Sequence, residues 1–305
     1  MPLVPEACAA LSRSHEERIA GTASRARRWV LVEQPGAWGR DAIHESALPT
    51  AVADHLIDLS RALPARVLLV RRVGGRYGDA PRRTVMAGVS LVGGGGWLES
   101  FRLEHIEDLL TLDLSPVSTG RSVGGERVAR PTYLVCTNGK HDVCCATYGL
   151  PVARALDGML ADRVWECSHV GGDRFAGNLV CLPDGILYGH LDPVTAVAAV
   201  AAHEQGRMVP GSCRGRSALT FVAQAAELLV REHLVLDHLD DLRFMDAVVE
   251  GDVHRVCFQV VDGRTVTATL RRGREPGRRV LTCGTTPAAA PTHELLDLQV
   301  RRPPG

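Results

Sequence analysis

Apolar residues gather in short runs separated by glycine, proline and charged positions, and the runs recur in a fixed order along the chain. Strands are predicted over 28–33, 66–70, 85–92 and 97–101, where valine, leucine and tryptophan crowd together. Between the first two, Val52, Leu56, Ile57 and Leu59 fall at helical spacing and Pro64 closes the run. A second, short helix is predicted over 103–112. After a polar, glycine-bearing passage the order begins again: a strand over 132–135, a helix over 151–160 that starts after Cys145, and strands over 163–167, 178–182 and 185–189. Asp192 then caps a helix with Pro193 at its first position, where a missing N–H costs least.

Each half fits a β-α-β-β-α unit, the core order of a thioredoxin-like fold, with two parallel strands, a hairpin and covering helices. The expected fold class is α/β, built as two tandem thioredoxin-like units joined by a linker over 115–130. The first unit spans 1–114 and the second 131–305, with an extension. In that extension Leu219, Val222, Ala223, Ala226, Leu229 and Val230 mark an amphipathic helix over 217–233. Runs over 254–261 and 264–270 flank Asp262-Gly263, a favoured hairpin turn. The extension is therefore expected to be a C-terminal helix and β-hairpin.

The chain has 305 residues, 45% of them apolar, enough for two cores. Lysine plus arginine equal aspartate plus glutamate at 35 each, which removes the simplest electrostatic argument for nucleic acid or an anionic membrane as partner. The longest apolar stretch, over 193–202, is about half of what a bilayer requires. The N-terminus lacks the basic-then-apolar pattern of a secretory signal, so a cytoplasmic protein is expected. In a reducing compartment the nine cysteines are free, buried or metal-bound rather than paired in disulfides. Cys8, Cys181, Cys213, Cys257 and Cys283 are scattered one per segment and read as small buried hydrophobes.

The candidate chemistry lies between Cys136 and Asn178. Paired Cys-x-x-Cys knuckles of a structural zinc site, or of a redox dithiol, are missing. Instead seven residues separate Cys136 from Cys144 and eight separate it from Cys145, a loop long enough to wrap a cofactor larger than one ion. Such a loop can present two sulfurs to a [2Fe–2S] rhomb while a second loop supplies the other iron. Two alternatives stand beside this: a metal-free thiol–disulfide protein cycling Cys136 with Cys144 or Cys145, and a structural zinc site in an interaction module.

Cys-Thr-Asn-Gly-Lys-His-Asp-Val-Cys-Cys-Ala from Cys136, Trp-Glu-Cys-Ser-His-Val-Gly-Gly-Asp-Arg-Phe-Ala-Gly-Asn from Trp165, and Arg214-Gly215-Arg216-Ser217 with Gln224-Ala225-Ala226-Glu227 resemble the sucrase/ferredoxin-like family, in a bacterial-type member. The resemblance implies a thioredoxin-like ferredoxin; in the eukaryotic branch two cysteines with eight residues between them and a His-x-x-x-His pair hold a Rieske-like [2Fe–2S] cluster. Carried over by position, the ligands are Cys136, Cys145 and His169, and Asp173 stands where the second histidine is expected. A carboxylate is a harder ligand than imidazole. Cys144 is its main rival for the fourth place and Cys167 another, while Arg174 is a candidate partner for the Asp173 carboxylate. The implied function is one-electron transfer to an unidentified redox partner protein, with neither nucleic acid nor membrane involved. Sucrose hydrolysis would need a carboxylate pair in a sugar cleft, for which the chain gives no sign.

Overall fold

The strands expected in both halves pair with one another. The computed structural model describes residues 7–75, 82–160 and 162–302. The first half contains α1 (Cys8–Ser14), β1 (Arg28–Glu33), α2 (Ala42–Glu45), α3 (Thr50–Ala62), β2 (Arg66–Arg72), β3 (Arg83–Val89), β4 (Trp97–Leu103) and β5 (Glu126–Arg127). The second contains β6 (Thr132–Cys136), α4 (Val143–Leu160), β7 (Val164–Cys167), β8 (Leu179–Leu182), β9 (Ile186–Tyr188), α5 (Pro193–Glu204) and β10 (Cys213–Arg216). There follow α6 (Phe221–Leu234), β11 (Leu242–Glu250), β12 (Val253–Val260), β13 (Thr265–Arg274) and β14 (Pro291–Arg301).

Among the described residues, ten strands form one mixed sheet in the order β10-β9-β8-β6-β7-β2-β1-β3-β4-β5. In the first half β1 runs parallel to β2 and antiparallel to β3, which pairs antiparallel with β4. The second half repeats this pairing with β6, β7, β8 and β9. An antiparallel contact, Val70 opposite Cys167, joins β2 to β7, so the sheet is continuous through both halves. A half-buried ion pair closes that seam, with Arg71 Nη2 2.6 Å from Glu166 Oε2.

Strand periodicity sorts the side chains. Val30 and Val32 of β1 pack with Val52 and Leu56 of α3, while their neighbours Trp29 and Leu31 pack with Leu134, Trp165 and Val180 of the second half. Burying a side chain such as Leu56 completely stabilises by roughly 1.5–3 kcal/mol. Behind the second half, Val152, Ala153 and Leu156 of α4 and Ala196, Ala199 and Val200 of α5 meet Tyr133, Val135 and Leu179.

Four expectations need correction. The helix over 103–112 is a 3-10 turn, Ile106–Thr111. The segment 115–130 holds a 3-10 turn, Ser115–Thr119, and β5, which pairs with β4. Helix α4 begins before Cys145, at Val143, because Asp142 caps it. The C-terminal hairpin of β12 and β13 is the centre of a four-stranded antiparallel sheet flanked by β11 and β14, against which α6 packs through Val222, Ala226 and Val230.

Helix α4 lies close against the end of β6. A Cβ on Gly149 would stand 2.1 Å from the carbonyl oxygen of Cys136, whereas one on Gly158 of the same helix meets nothing within 4 Å. Gly149→Ala is therefore expected to lower the unfolding free energy by about 1–3 kcal/mol. Gly158→Ala is expected to raise it by up to about 1 kcal/mol; urea titration of the two variants checks the contrast.

Candidate metal centre

Strand β6 delivers Cys136 at its last position, and residues 137–142 turn the chain into α4. Side chains hold this turn: Thr137 Oγ1 donates to the buried Glu166 at 2.8 Å, and Asn138 Nδ2 donates to the carbonyl of Gly39 at 3.2 Å. Asp142 Oδ1 accepts the N–H of Cys144 at 2.8 Å, the usual N-cap bond, and its Oδ2 accepts the N–H of Cys283 at 2.8 Å. On the parallel neighbour β7, Cys167 stands opposite Cys136, and the chain runs on through His169.

The ligand atoms of Cys136, Cys145 and His169 all lie within 4.8 Å of one another. Cys145 Sγ is 3.9 Å from His169 Nδ1 and 3.5 Å from Asp173 Oδ1. The same carboxylate oxygen is 3.0 Å from His169 Nδ1, and Oδ2 accepts the Thr282 hydroxyl at 2.9 Å. Arg174 does not take this carboxylate; its Nε is 2.7 Å from Glu17. His141 also arrives, stacked on His169 with ring centroids 3.7 Å apart, and its nitrogen, His169 and Asp173 converge within 4.8 Å. Cys144 points elsewhere, toward Cys8 and Cys283. Cys167 is buried in the apolar layer that also contains Trp165 and Val170, and joins neither cluster of converging ligand atoms among the described residues.

The electrostatics favour a thiolate at Cys136. A hydrogen bond from Cys145 holds its pKa well below the ordinary thiol range, helped by a hydrogen bond and positive charge from His169 and by the N–H of Val170, against the effect of burial. Cys145, hydrogen-bonded to that thiolate and buried, is pushed up. Two arginines lie nearby. Arg66, its pKa lowered by burial, donates through Nη2 to the carbonyl of His169 at 2.8 Å. Arg214 is 1% exposed and donates to four neutral acceptors: the Thr22 carbonyl and hydroxyl, the Gly171 carbonyl at 2.8 Å, and Asn178 Oδ1 at 2.7 Å. Burial, with the like charge of Arg174, brings its pKa down to about 9, so at neutral pH it remains a buried cation beside the thiols. Gly172 has φ 80°, and a Cβ there would sit 2.3 Å from Arg214 Nη2, so the loop wraps this guanidinium only as glycine. Two buried sulfurs, a buried carboxylate and a partly exposed imidazole make a donor set suited to a thiophilic metal.

A family model described as sucrase/ferredoxin-like matches residues 19–215, which take in β1 through β9 and all of Cys136, Cys145, His169 and Asp173. The chain belongs to the sucrase/ferredoxin-like family. No curated protein and no solved structure matches it. The sucrase/ferredoxin-like span also covers Arg214, whereas Cys8, Cys283, Thr282, α6 and the four-stranded sheet lie outside it.

Cys8, Cys283, His141 and Thr282 did not stand out in the sequence as parts of a site. Cys8 and Cys283 lie 136 and 139 residues from Cys144, so no spacing signal connects them, and Asp142 at a helix start is the readable hint. Arg214→Lys, which keeps the charge but loses the fork, is expected to cost roughly 1.5–3 kcal/mol in a denaturant titration and to speed amide exchange across 171–178. Arg207→Lys, at an exposed pair with Asp237, is expected to leave the same titration unchanged.

Proposed function

We propose that this chain is an electron-transfer protein whose second half holds a [2Fe–2S] cluster through Cys136, Cys145, His169 and Asp173. The observation that carries the reading is the convergence of two buried thiols and an imidazole within 4.8 Å, with Asp173 against both Cys145 and His169. When bound, such a cluster supplies one-electron chemistry, and an imidazole ligand raises its potential above that of an all-cysteine centre.

The protein's own groups prepare the place. Arg66 and Arg214 set positive charge beside sulfurs that must be deprotonated to bind metal, which offsets part of the cost of burying them. Thr282 orients the Asp173 carboxylate toward His169. Cys136 and Cys145 are 1% and 0% exposed while the His169 side chain is 19% exposed, so an electron enters or leaves at the imidazole edge. The partner we expect there is a second redox protein in the cytoplasm. Zero net charge argues against nucleic acid, and no described helix is long and apolar enough to cross a membrane.

The repeated pairing order of the two halves supports reading them as tandem thioredoxin-like units, of which the first ends β1 in Glu33 where the second ends β6 in Cys136. A second reading rests on the hydrogen bond from Cys145 to a lowered Cys136 thiol, which also suits a metal-free dithiol–disulfide pair.

Anaerobic purification separates the two. The expected product is brown, with about two irons and two acid-labile sulfides per chain, and Cys136→Ser and Cys145→Ser are colourless. Asp173→Ala is expected to shift the visible bands and the potential; unchanged spectra would move the fourth-ligand role to His141. A colourless wild-type chain that forms a Cys136–Cys145 disulfide on oxidation would favour the second reading and sink the first.

A further inference from the structure

A second group of soft ligands sits on the far side of the first turn of α4. Cys8 comes from α1, Cys144 from that turn, and Cys283 from the loop ahead of β14. The three sulfurs form a nearly equilateral triangle, with Cys8 to Cys144 at 3.7 Å, Cys144 to Cys283 at 3.6 Å and Cys283 to Cys8 at 3.4 Å. Asp142 completes the group: its Oδ2 is 3.7 Å from Cys8 Sγ, and ligand atoms of all four residues fall within 4.8 Å. Cys8, Asp142 and Cys144 are buried and Cys283 is partly so.

The spacing decides what this group suits. A disulfide brings two sulfurs to about 2.05 Å and would leave the third thiol over. Tetrahedral zinc with bonds of about 2.3 Å to sulfur separates its thiolates by about 3.8 Å, only a few tenths of an ångström wider than the triangle. The carboxylate needs no rearrangement, because the N–H groups of Cys144 and Cys283 already fix it at 2.8 Å each.

We propose that Cys8, Cys144, Cys283 and Asp142 form a tetrahedral site for a zinc ion, separate from the Cys136 centre. On binding, the three thiols release their protons to solvent and form three metal–sulfur bonds, and Asp142 forms one metal–oxygen bond. The ion fastens three segments remote in sequence to one another. Helix α1 has only seven residues, too few to be stable by itself, and it otherwise docks through buried Ala9, in one apolar cluster with Ala176, and through polar contacts such as Arg13 Nη2 to the Ala176 carbonyl at 2.7 Å. Fastened to Cys144, it bears on the turn whose next residue is Cys145. Cys8 and Cys283 fall outside the residues matched by the family model and Asp142 and Cys144 within them, so the site ties the matched span to the segments on either side of it.

The test uses the full chain, purified under reducing conditions without chelator, and reads zinc and iron separately by mass spectrometry of the elements. About one zinc per chain is expected. Cys283→Ser and Cys8→Ser should each reduce zinc at least fivefold with iron unchanged, whereas Cys136→Ser should leave zinc in place. Cobalt(II) added to the zinc-stripped wild type should give the intense visible bands of a tetrahedral thiolate site, a readout independent of any variant's folding. The proposal is overturned if the wild type takes up neither zinc nor cobalt, if zinc follows Cys136→Ser instead of Cys283→Ser, or if two of the three thiols are found as a disulfide. Loss of iron alone bears on the electron-transfer reading and leaves this one standing.

Discussion

Consecutive residues on an α-helix point about 100° apart, and the chemistry of this protein depends on that angle being applied to Cys144 and Cys145. Both lie in the first turn of α4, whose start is fixed by the Asp142 carboxylate on the N–H of Cys144. One thiol therefore faces Cys136, His169 and Asp173, and the other faces Cys8 and Cys283. Neither direction is adjustable without moving the helix, and Gly149, pressed against the carbonyl of Cys136, leaves the helix no room to approach further. A single cap and one close contact thus partition two adjacent sulfurs between two clusters of side chains.

Charge balance is the second constraint. Thiolates buried in a sheet interior are costly unless a counter-charge or hydrogen bond meets them. Arg66 and Arg214 lie beside the first site with neutral acceptors on their guanidinium groups, so their charge is left to act on the sulfurs. Arg216, by contrast, is committed to a buried triad in which Glu227 lies 2.9 Å from Arg216 and 3.0 Å from Arg231, which anchors α6. Two arginines of one short strand therefore do different things: Arg214 holds the loop between Gly171 and Asn178, and Arg216 holds the helix that packs on the C-terminal sheet. Gln224 links them to the N-terminal segment by donating to, and accepting from, the backbone of Ala23 at 3.0 Å.

What the sequence made legible was local. The strand order of each half could be read because β1, β2, β6, β7 and β8 are nearly continuous apolar runs, as strands buried on both faces must be. Cys136, Cys145, His169 and Asp173 were gathered through the family resemblance, carried over by position from two short stretches of one βαβ unit. Strand β14 was not foreseen: Leu295 and Leu296 break the alternation, and both stay exposed. Its place is set by pairing with β13, a long-range contact. Cys8 and Cys283 were read as hydrophobes for the same reason, since each acquires its partners only when both ends of the chain close over α4. No spacing signal marks His141, and it is the folding of the turn over 137–142 that stacks it on His169.

The central claim is that the first turn of α4 divides its two cysteines between two distinct metal centres. Anomalous diffraction from crystals of anaerobically purified protein, collected at the iron and zinc edges, tests it most directly. The account expects iron between Cys136, Cys145 and His169, and zinc between Cys8, Cys144 and Cys283. One metal shared by Cys144 and Cys145, or no anomalous scatterer at either place, would contradict it.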